Sequence, residues 1–395
     1  MKFLREIKPA DLKGVKALIR LDFNVPVAKG RVVDDFRIRM AIPTINLLKS
    51  AGARTIIIAH IETIEADGGP TLAPVADRLK MLGIACTFVK NYRNAQAEIA
   101  AMPEGGVILL ENLRMNEGEK KNDRAFAKEL ASLGDIYIND AFSVSHREHA
   151  SVSAVTEFIP SYCGPLLEQE IVNLSSAFHP DQATGRPFLF ILGGAKFDTK
   201  LPLIEKFMNL ADTVFVGGAL ANDFFKEKGY EVGKSVVSSQ DFNLSRFTQG
   251  ALAPKLMLPS DVIVGPVAAA QGALDLAKAT VKQVDAVSPD DVIYDVGPET
   301  LRALGEKIAQ AKYVLWNGPI GFYERGFKQP TLALAQKIAE ATSRGTKTIV
   351  GGGDTLATIA ELGIESKFTF ISTGGGAMLD FLANETLPGI KALER

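Results

Sequence analysis

At 395 residues the chain is long enough for two or three domains, taking roughly 150 residues per domain. Its 47% hydrophobic and 23% charged residues exclude disorder and collagen-like structure. Lys and Arg number 44 against 46 Asp and Glu, a net charge of -2, so the basic surplus of a nucleic-acid binder is missing. Two cysteines, Cys86 and Cys163, build no disulfide framework and form no Cys-x-x-Cys pair, which favours a reducing, cytoplasmic setting. Arg5, Glu6 and Lys8 stand where a secretory apolar stretch would be, and no run nears the roughly 18 apolar residues of a membrane helix. The expectation is a soluble, unprocessed chain with neither a membrane nor a nucleic-acid partner.

Short β-branched runs alternate with longer amphipathic stretches, the rhythm of parallel strands joined by crossover helices, so the fold class is α/β with two doubly wound parallel sheets. In the first half the predicted strands are Ala17–Leu21, Thr55–Ala59, Val107–Leu110 and Ile136–Ile138. The second half gives Phe188–Leu192, Thr213–Val216, Val262–Val264, Tyr313–Trp316, Thr348–Val350 and Phe368–Ile371. Between them, Phe158–Ser176 reads as a turn followed by a connecting helix. This places one domain at 1–165 and a second at 166–378.

Ligands of open parallel sheets gather at the carboxyl ends of strands, so the residues after each strand carry the functional reading. In the first half these are Asp22 and Asn24, His60, Arg114, and His146-Arg147, with Arg37 nearby in sequence. Arginine and histidine converging on one sheet edge suit a small phosphorylated or carboxylated ligand. Taken singly, each has a plainer explanation: an ion-paired surface arginine, or a buried histidine with its hydrogen bonds met.

The second half presents glycine instead, in Leu192-Gly-Gly-Ala-Lys196, Val216-Gly-Gly218, Trp316-Asn-Gly-Pro319, Val350-Gly-Gly-Gly-Asp-Thr355 and Ile371-Ser-Thr-Gly-Gly-Gly376. Glycine lets backbone approach a ligand closely, and a loop opening a helix aims free N–H groups at phosphate. Five such turns after five strands point to a nucleotide. Asp354 is either a magnesium ligand or the N-cap of a helix starting near Thr355. Lys196 and Lys200, four apart at a predicted helix start, oppose the helix dipole unless an anion binds there. Three other motifs fail. Gly229 to Ser235 has one residue too few for a P-loop, Gly351 opens no dinucleotide fingerprint, and His146 with His149 lacks a third zinc ligand.

From Leu12 to Gly389 the chain resembles the phosphoglycerate kinase family. Eight stretches occur in the family's order: Arg20-Leu-Asp-Phe-Asn-Val-Pro26, Glu111-Asn-Leu-Arg114, Asp140-Ala-Phe, His146-Arg-Glu-His-Ala-Ser151, Leu192-Gly-Gly-Ala-Lys196, Trp316-Asn-Gly-Pro319, Gly351-Gly-Gly-Asp-Thr355 and Ser372-Thr-Gly-Gly-Gly-Ala377. The resemblance implies a two-domain hinge enzyme, expected as a monomer. Such an enzyme moves phosphate reversibly between 1,3-bisphosphoglycerate and ADP, with magnesium, giving 3-phosphoglycerate and ATP. It implies that Asp22, Asn24, Arg37, His60, Arg114 and Arg147 bind the glycerate substrate. It likewise implies that Lys196, Lys200, Gly217, Gly218, Asn317, Glu324, Gly352, Gly353, Asp354 and Thr355 surround the nucleotide, with Glu324 on the ribose and Asp354 toward the metal. Arg37 and Lys196 are expected to neutralise the moving phosphoryl group, and Gly374, Gly375 and Gly376 to offer a helix N-terminus to the transition state. The segment 379–395 is expected to return to the first domain.

The pattern breaks after His60. The family usually continues Leu-Gly-Arg-Pro, whereas this chain has Ile61-Glu62-Thr63-Ile64, so an arginine is replaced by Thr63 and an acid enters at Glu62. Weakened substrate binding is the first expectation from this change. An impaired, nucleotide-binding regulatory paralogue is the alternative, and a dinucleotide-dependent oxidoreductase is a third that lacks its fingerprint.

Overall fold

The computed structural model describes residues 1–62, 70–180, 185–240, 242–266 and 278–395. The chain forms two compact units, Met1–Val172 with Asn384–Arg395, and Asn173–Ala383. It passes from one to the other inside the helix Pro165–Ser175, a little later than the expected boundary at 165. The return also comes later than 379. The helix Gly376–Asn384 packs Phe381 against Phe178 of the second unit, with ring centroids 5.9 Å apart. Only the last residues rejoin the first unit, where the Gly389 N–H donates to the Ser145 carbonyl at 2.8 Å.

In the first unit six strands lie in the order Thr87–Val89, Val107–Leu110, Arg54–Ile58, Lys16–Arg20, Ile136–Asn139 and Ser161–Cys163. Every pairing is parallel. The runs are apolar without alternation because helices cover both faces: Ile56, Ile57 and Ile58 are all fully buried. The covering helices carry apolar stripes at helical spacing. In Arg124–Ala131 the stripe is Phe126, Ala127, Leu130 and Ala131, and Asp123 caps the first turn by accepting from the Phe126 N–H at 2.8 Å.

The second unit repeats the plan with Leu256–Met257, Thr213–Val216, Phe188–Leu192, Tyr313–Asn317, Lys347–Gly351 and Phe370–Ser372. These pairings are also all parallel. One sequence expectation is corrected here. The run at Val262–Val264 does not join the main sheet. It is the centre of an antiparallel three-stranded sheet formed by Asp261–Pro266 with Thr280–Gln283 and Asp291–Val296. Its apolar residues mimic a buried parallel strand because Val262 and Val264 face a separate small core with Ala221, Phe225, Val232 and Val287.

Because each six-stranded sheet is parallel throughout, all of its carboxyl ends fall on one edge. The first sheet therefore collects Asp22, Asn24, His60, Arg114 and His146-Arg147 on a single edge, and the second collects all five glycine turns on another. In the second sheet the chain reverses direction of growth at Phe188–Leu192, which is flanked by Thr213–Val216 and Tyr313–Asn317. That switch point is where a crevice opens in folds of this kind.

Candidate active site

In the first unit, short turns made by side chains set the site residues. Asp22 accepts from the Asn24 N–H at 3.0 Å, and Asn112 accepts from the Arg114 N–H at 3.1 Å, two local Asx turns that bend the backbone just past a strand. Arg37 lies in the first turn of the helix Phe36–Ser50, where the dipole disfavours a cation. Its Nη1 is offset by Asp22 at 2.9 Å and donates to the Asn24 carbonyl at 3.1 Å. Ser143 Oγ donates to the same oxygen, Asp22 Oδ2, at 2.5 Å.

The guanidinium of Arg114 is nearly buried, with 6% of its side chain exposed. Its pKa is lowered to about 10, first by burial and then by the neighbouring charges of Arg147 and Arg20. Cations crowded this closely, in a place with little water, create a demand for an anion. Arg147 is exposed, and its Nε donates to His146 Nε2 at 3.3 Å.

His60 is buried, and its Nδ1 faces Arg20 Nη2 at 3.1 Å. Burial, and then the charge of Arg20, push its pKa far below the usual histidine range, so the ring is neutral. An arginine can only donate, so Nδ1 accepts and the proton sits on Nε2. The plainer explanation of His60 as a satisfied buried histidine therefore describes its Nδ1 side.

Arg20 is itself a residue that sequence reasoning quoted in a motif without giving it a role. It is fully buried, donates to Ser151 Oγ at 3.0 Å and to the Leu21 carbonyl at 2.5 Å, and so braces His60 from behind. Glu119 completes this buried layer, accepting from Ser151 Oγ at 2.7 Å and from the Ser151 N–H at 3.0 Å. His149 lies 3.8 Å from Glu119, and burial with the charges of Arg114, Arg20 and Arg147 lowers it to about 4. Ser151 ended a quoted motif without a role and Glu119 carries no sequence signal, so the fold reveals this support.

Glu62 belongs to the same cluster. Its N–H donates to Asn24 Oδ1 at 2.9 Å, one carboxylate oxygen accepts from Asn24 Nδ2 at 3.4 Å, and the other pairs with Arg114 Nη1. Thr63, where the family resemblance expects an arginine, lies outside the described residues.

The second unit builds its edge from backbone. A Cβ on Gly193 would lie 2.0 Å from the Pro319 carbonyl oxygen, so only glycine lets these two turns meet. Gly318 adopts φ +88°, and its N–H donates to Thr355 Oγ1 at 2.9 Å. Thr355 is thereby committed to holding two glycine turns together.

Asp354 is exposed inside the first turn of the helix Gly353–Leu362, whose N-cap is Gly352 at φ +104°. The reading of Asp354 as an N-cap is corrected: glycine takes that position because its left-handed backbone excludes side chains. Among the described residues no cluster of three His, Cys, Asp or Glu could hold a metal alone. A single exposed carboxylate fits magnesium bound jointly with phosphate oxygens and water.

Lys196 is the exposed N-cap of the helix Phe197–Leu210, while Lys200 is buried within it. The two therefore do not project alike. Lys200 Nζ donates to the Gly193 carbonyl, and burial lowers its pKa to about 8, against the opposite pull of Asp354. Asn317 is buried, with Nδ2 3.7 Å from Met378 Sδ, and faces the floor of the cradle.

Beside the cradle a cavity of about 180 Å³ is lined by Gly218, Asn222, Tyr294, Phe322, Glu324 and Asp354 among others. Its walls, contributed by the antiparallel strand Asp291–Val296, are mostly apolar, and the Tyr294 ring stacks on Phe327 with centroids 4.6 Å apart. A flat aromatic base fits such a slot. Of the sequence-assigned residues, Gly218, Glu324 and Asp354 line it, whereas Tyr294 was missed because its strand was not predicted and Phe322 because it lies three residues beyond the Trp316–Pro319 turn. Gly374, Gly375 and Gly376 lead into the helix Gly376–Asn384, with open space at the Cβ positions of Gly375 and Gly376.

Two parallel α/β units, one with a cationic edge and one with a glycine cradle beside an apolar slot, define a phosphotransferase architecture. A family model described as "Phosphoglycerate kinase" matches residues 7–385. Among curated relatives, the phosphoglycerate kinase of Dictyoglomus turgidum is 40% identical over 100% of this chain and 99% of its own. That of Chlorobium chlorochromatii is 42% identical over 96% and 97%. The solved phosphoglycerate kinase of Coxiella burnetii superposes with a TM-score of 0.82 at 36% identity, covering 97% of each chain. The Pyrococcus horikoshii enzyme gives 0.83 at 28% identity over 100% and 98%. The chain belongs to the phosphoglycerate kinase family, phosphotransferases with a carboxyl group as acceptor.

Proposed function

We propose that this protein transfers a phosphoryl group reversibly between 1,3-bisphosphoglycerate and ADP. The observation that carries the reading is the pairing, in a member of this family, of a carboxyl-edge cation cluster in one unit with a glycine cradle in the other. Asp22, Asn24, Arg37, His60, Arg114 and Arg147 take the glycerate substrate, and arginine forks suit its phosphate and carboxylate. Lys196, Lys200, Gly217, Gly218, Asn317, Glu324, Gly352, Gly353, Asp354 and Thr355 surround the nucleotide. Glu324 takes the ribose, and the base enters the slot beside Tyr294.

Asp354 would hold magnesium, which would help neutralise the nucleotide's phosphate charge. The chain's own residues do the rest by positioning. Phosphoryl transfer needs in-line alignment and charge neutralisation more than covalent help. Arg37 and Lys196, one from each unit, stabilise the charge on the moving group, and the backbone N–H groups at Gly374, Gly375 and Gly376 add to this at a helix start. Hinge bending of the monomer in the cytoplasm brings acyl phosphate and nucleotide together and excludes water from them.

Thr63 weakens substrate binding by leaving out one charge-assisted contact, a loss of about 1.5–3 kcal/mol or roughly 10- to 150-fold in affinity. Thr63→Arg should lower the KM for 3-phosphoglycerate by part of that factor, and an unchanged KM would remove this explanation. A coupled assay with ATP and 3-phosphoglycerate tests the function itself. Turnover supports it, whereas no turnover alongside measurable ADP binding favours the regulatory paralogue.

A further inference from the structure

Among the described residues, the carboxylates of Asp22, Glu119 and Glu62 lie among the cations of the first unit, and the first two are committed to the scaffold. Asp22 holds Arg37, Ser143 and the Asn24 N–H. Glu119 is completely buried and takes both polar groups of Ser151. Glu62 differs. Its side chain is 53% exposed, yet its carboxylate reaches Arg114 with one oxygen and Asn24 with the other.

The backbone that leads into Glu62 is held by two asparagines. Asn112 Nδ2 donates to the Ile61 carbonyl at 2.8 Å, the Ile61 N–H donates to Asn112 Oδ1 at 3.3 Å, and the Glu62 N–H donates to Asn24 Oδ1 at 2.9 Å. Asn112 is also the residue whose Asx turn sets Arg114. The same amide therefore aligns the cation and the segment bearing the acid. The half-exposed side chain can swing away by bond rotation while these backbone hydrogen bonds stay in place.

We propose that Glu62 is a built-in competitor for the anionic group of the substrate, a displaceable carboxylate that occupies Arg114 and Asn24 until a phosphorylated or carboxylated ligand takes its place. This rests on the reading of the first unit as the acidic-substrate site. An intramolecular ligand lowers apparent affinity by the fraction of time it leaves the site open. A half-exposed ion pair is worth little, so the effect is modest, about two- to fivefold. Glu62 thus sets affinity for the acidic substrate without touching the nucleotide.

The test is calorimetric titration of the full-length protein with 3-phosphoglycerate, and separately with Mg-ADP, for wild type, Glu62→Gln and Glu62→Ala. Expected is a Kd for 3-phosphoglycerate about two- to fivefold lower in both variants, with the Mg-ADP Kd unmoved. The gap between wild type and variants should narrow as salt rises, because screening releases the pair. A Kd unchanged or raised in both variants overturns the proposal, as does absence of binding to all three proteins. If Glu62 served only to brace its loop, the variants would lose melting temperature and bind no tighter. Turnover by the wild type decides the proposed activity independently. Tighter binding by the variants without turnover would leave this inference standing while that reading fell, and turnover with unmoved Kd values would do the reverse.

Discussion

The two units share a sheet plan but build their candidate sites by opposite means. The first relies on side chains: Asp22 holds Arg37 at the start of its helix, and the Asn112 turn sets Arg114 past its strand. The second relies on backbone, with Gly193 and Gly318 meeting so closely that a Cβ on either would strike the other's turn. A site made of side chains loses function when charge is removed and keeps its fold. A site made of backbone fails when a methyl group is added, because the turn and the ligand surface are the same atoms.

The contrast is sharpest at the two cations assigned to the transfer step. Arg37→Ala or Lys196→Ala should lower kcat by roughly 10²–10³, about 2.7–4 kcal/mol, by analogy with loss of an oxyanion donor. Steady-state kinetics should show kcat falling more than either KM rises. A purely KM effect would reduce both residues to ground-state binders.

Lys200 tests what the cradle costs in stability. Burial holds its pKa near 8 against an ordinary 10.5, so between those values the unfolded chain binds more protons than the folded one. Stability therefore rises with pH through that window, and the opposition of Lys200 to folding, up to about 3 kcal/mol, is fully present below pH 8. Urea unfolding between pH 7.5 and 10.5 should show this rise in wild type and a flatter profile in Lys200→Met. Equal slopes would mean that the ammonium is better solvated than its surroundings suggest.

Gly193→Ala comes last, at about 1–3 kcal/mol from overpacking against Pro319. Thermal unfolding should register it, and Mg-ADP affinity should fall while 3-phosphoglycerate affinity holds. A variant that kept both stability and ADP binding would break the distinction between a side-chain site and a backbone site.

Much of this was legible in the sequence because parallel sheets concentrate information at strand ends. Phe188–Leu192 and Thr213–Val216 appear with their predicted bounds, since uninterrupted apolar runs bounded by glycine are hard to mistake. The class of two parallel α/β units followed from that rhythm. What escaped was set by tertiary context. Ser161–Cys163 reads as a turn beside Pro160 and Gly164 yet forms an edge strand, because Tyr137 and Asn139 offer it a register. Val262–Val264 reads as a main-sheet strand and instead belongs to the antiparallel sheet.

At the site, the arginines were visible one by one, whereas the neutral state of His60 depends on the buried Arg20 behind it. The role of Glu62 could not be read locally either. Facing solvent and pairing with Arg114 are equally compatible with its neighbours in sequence, and the Asn112 clamp that decides between them comes from a loop fifty residues away.

The most direct test of the division of labour is hydrogen exchange on the full-length protein, with 3-phosphoglycerate and Mg-ADP added separately. The account predicts that 3-phosphoglycerate protects peptides containing Asp22–Arg37, His60 and Arg114, and that Mg-ADP protects those containing Gly193–Lys200, Asn317–Glu324 and Gly352–Thr355. Protection of the glycine turns by 3-phosphoglycerate alone, or of the arginine edge by Mg-ADP alone, would contradict it.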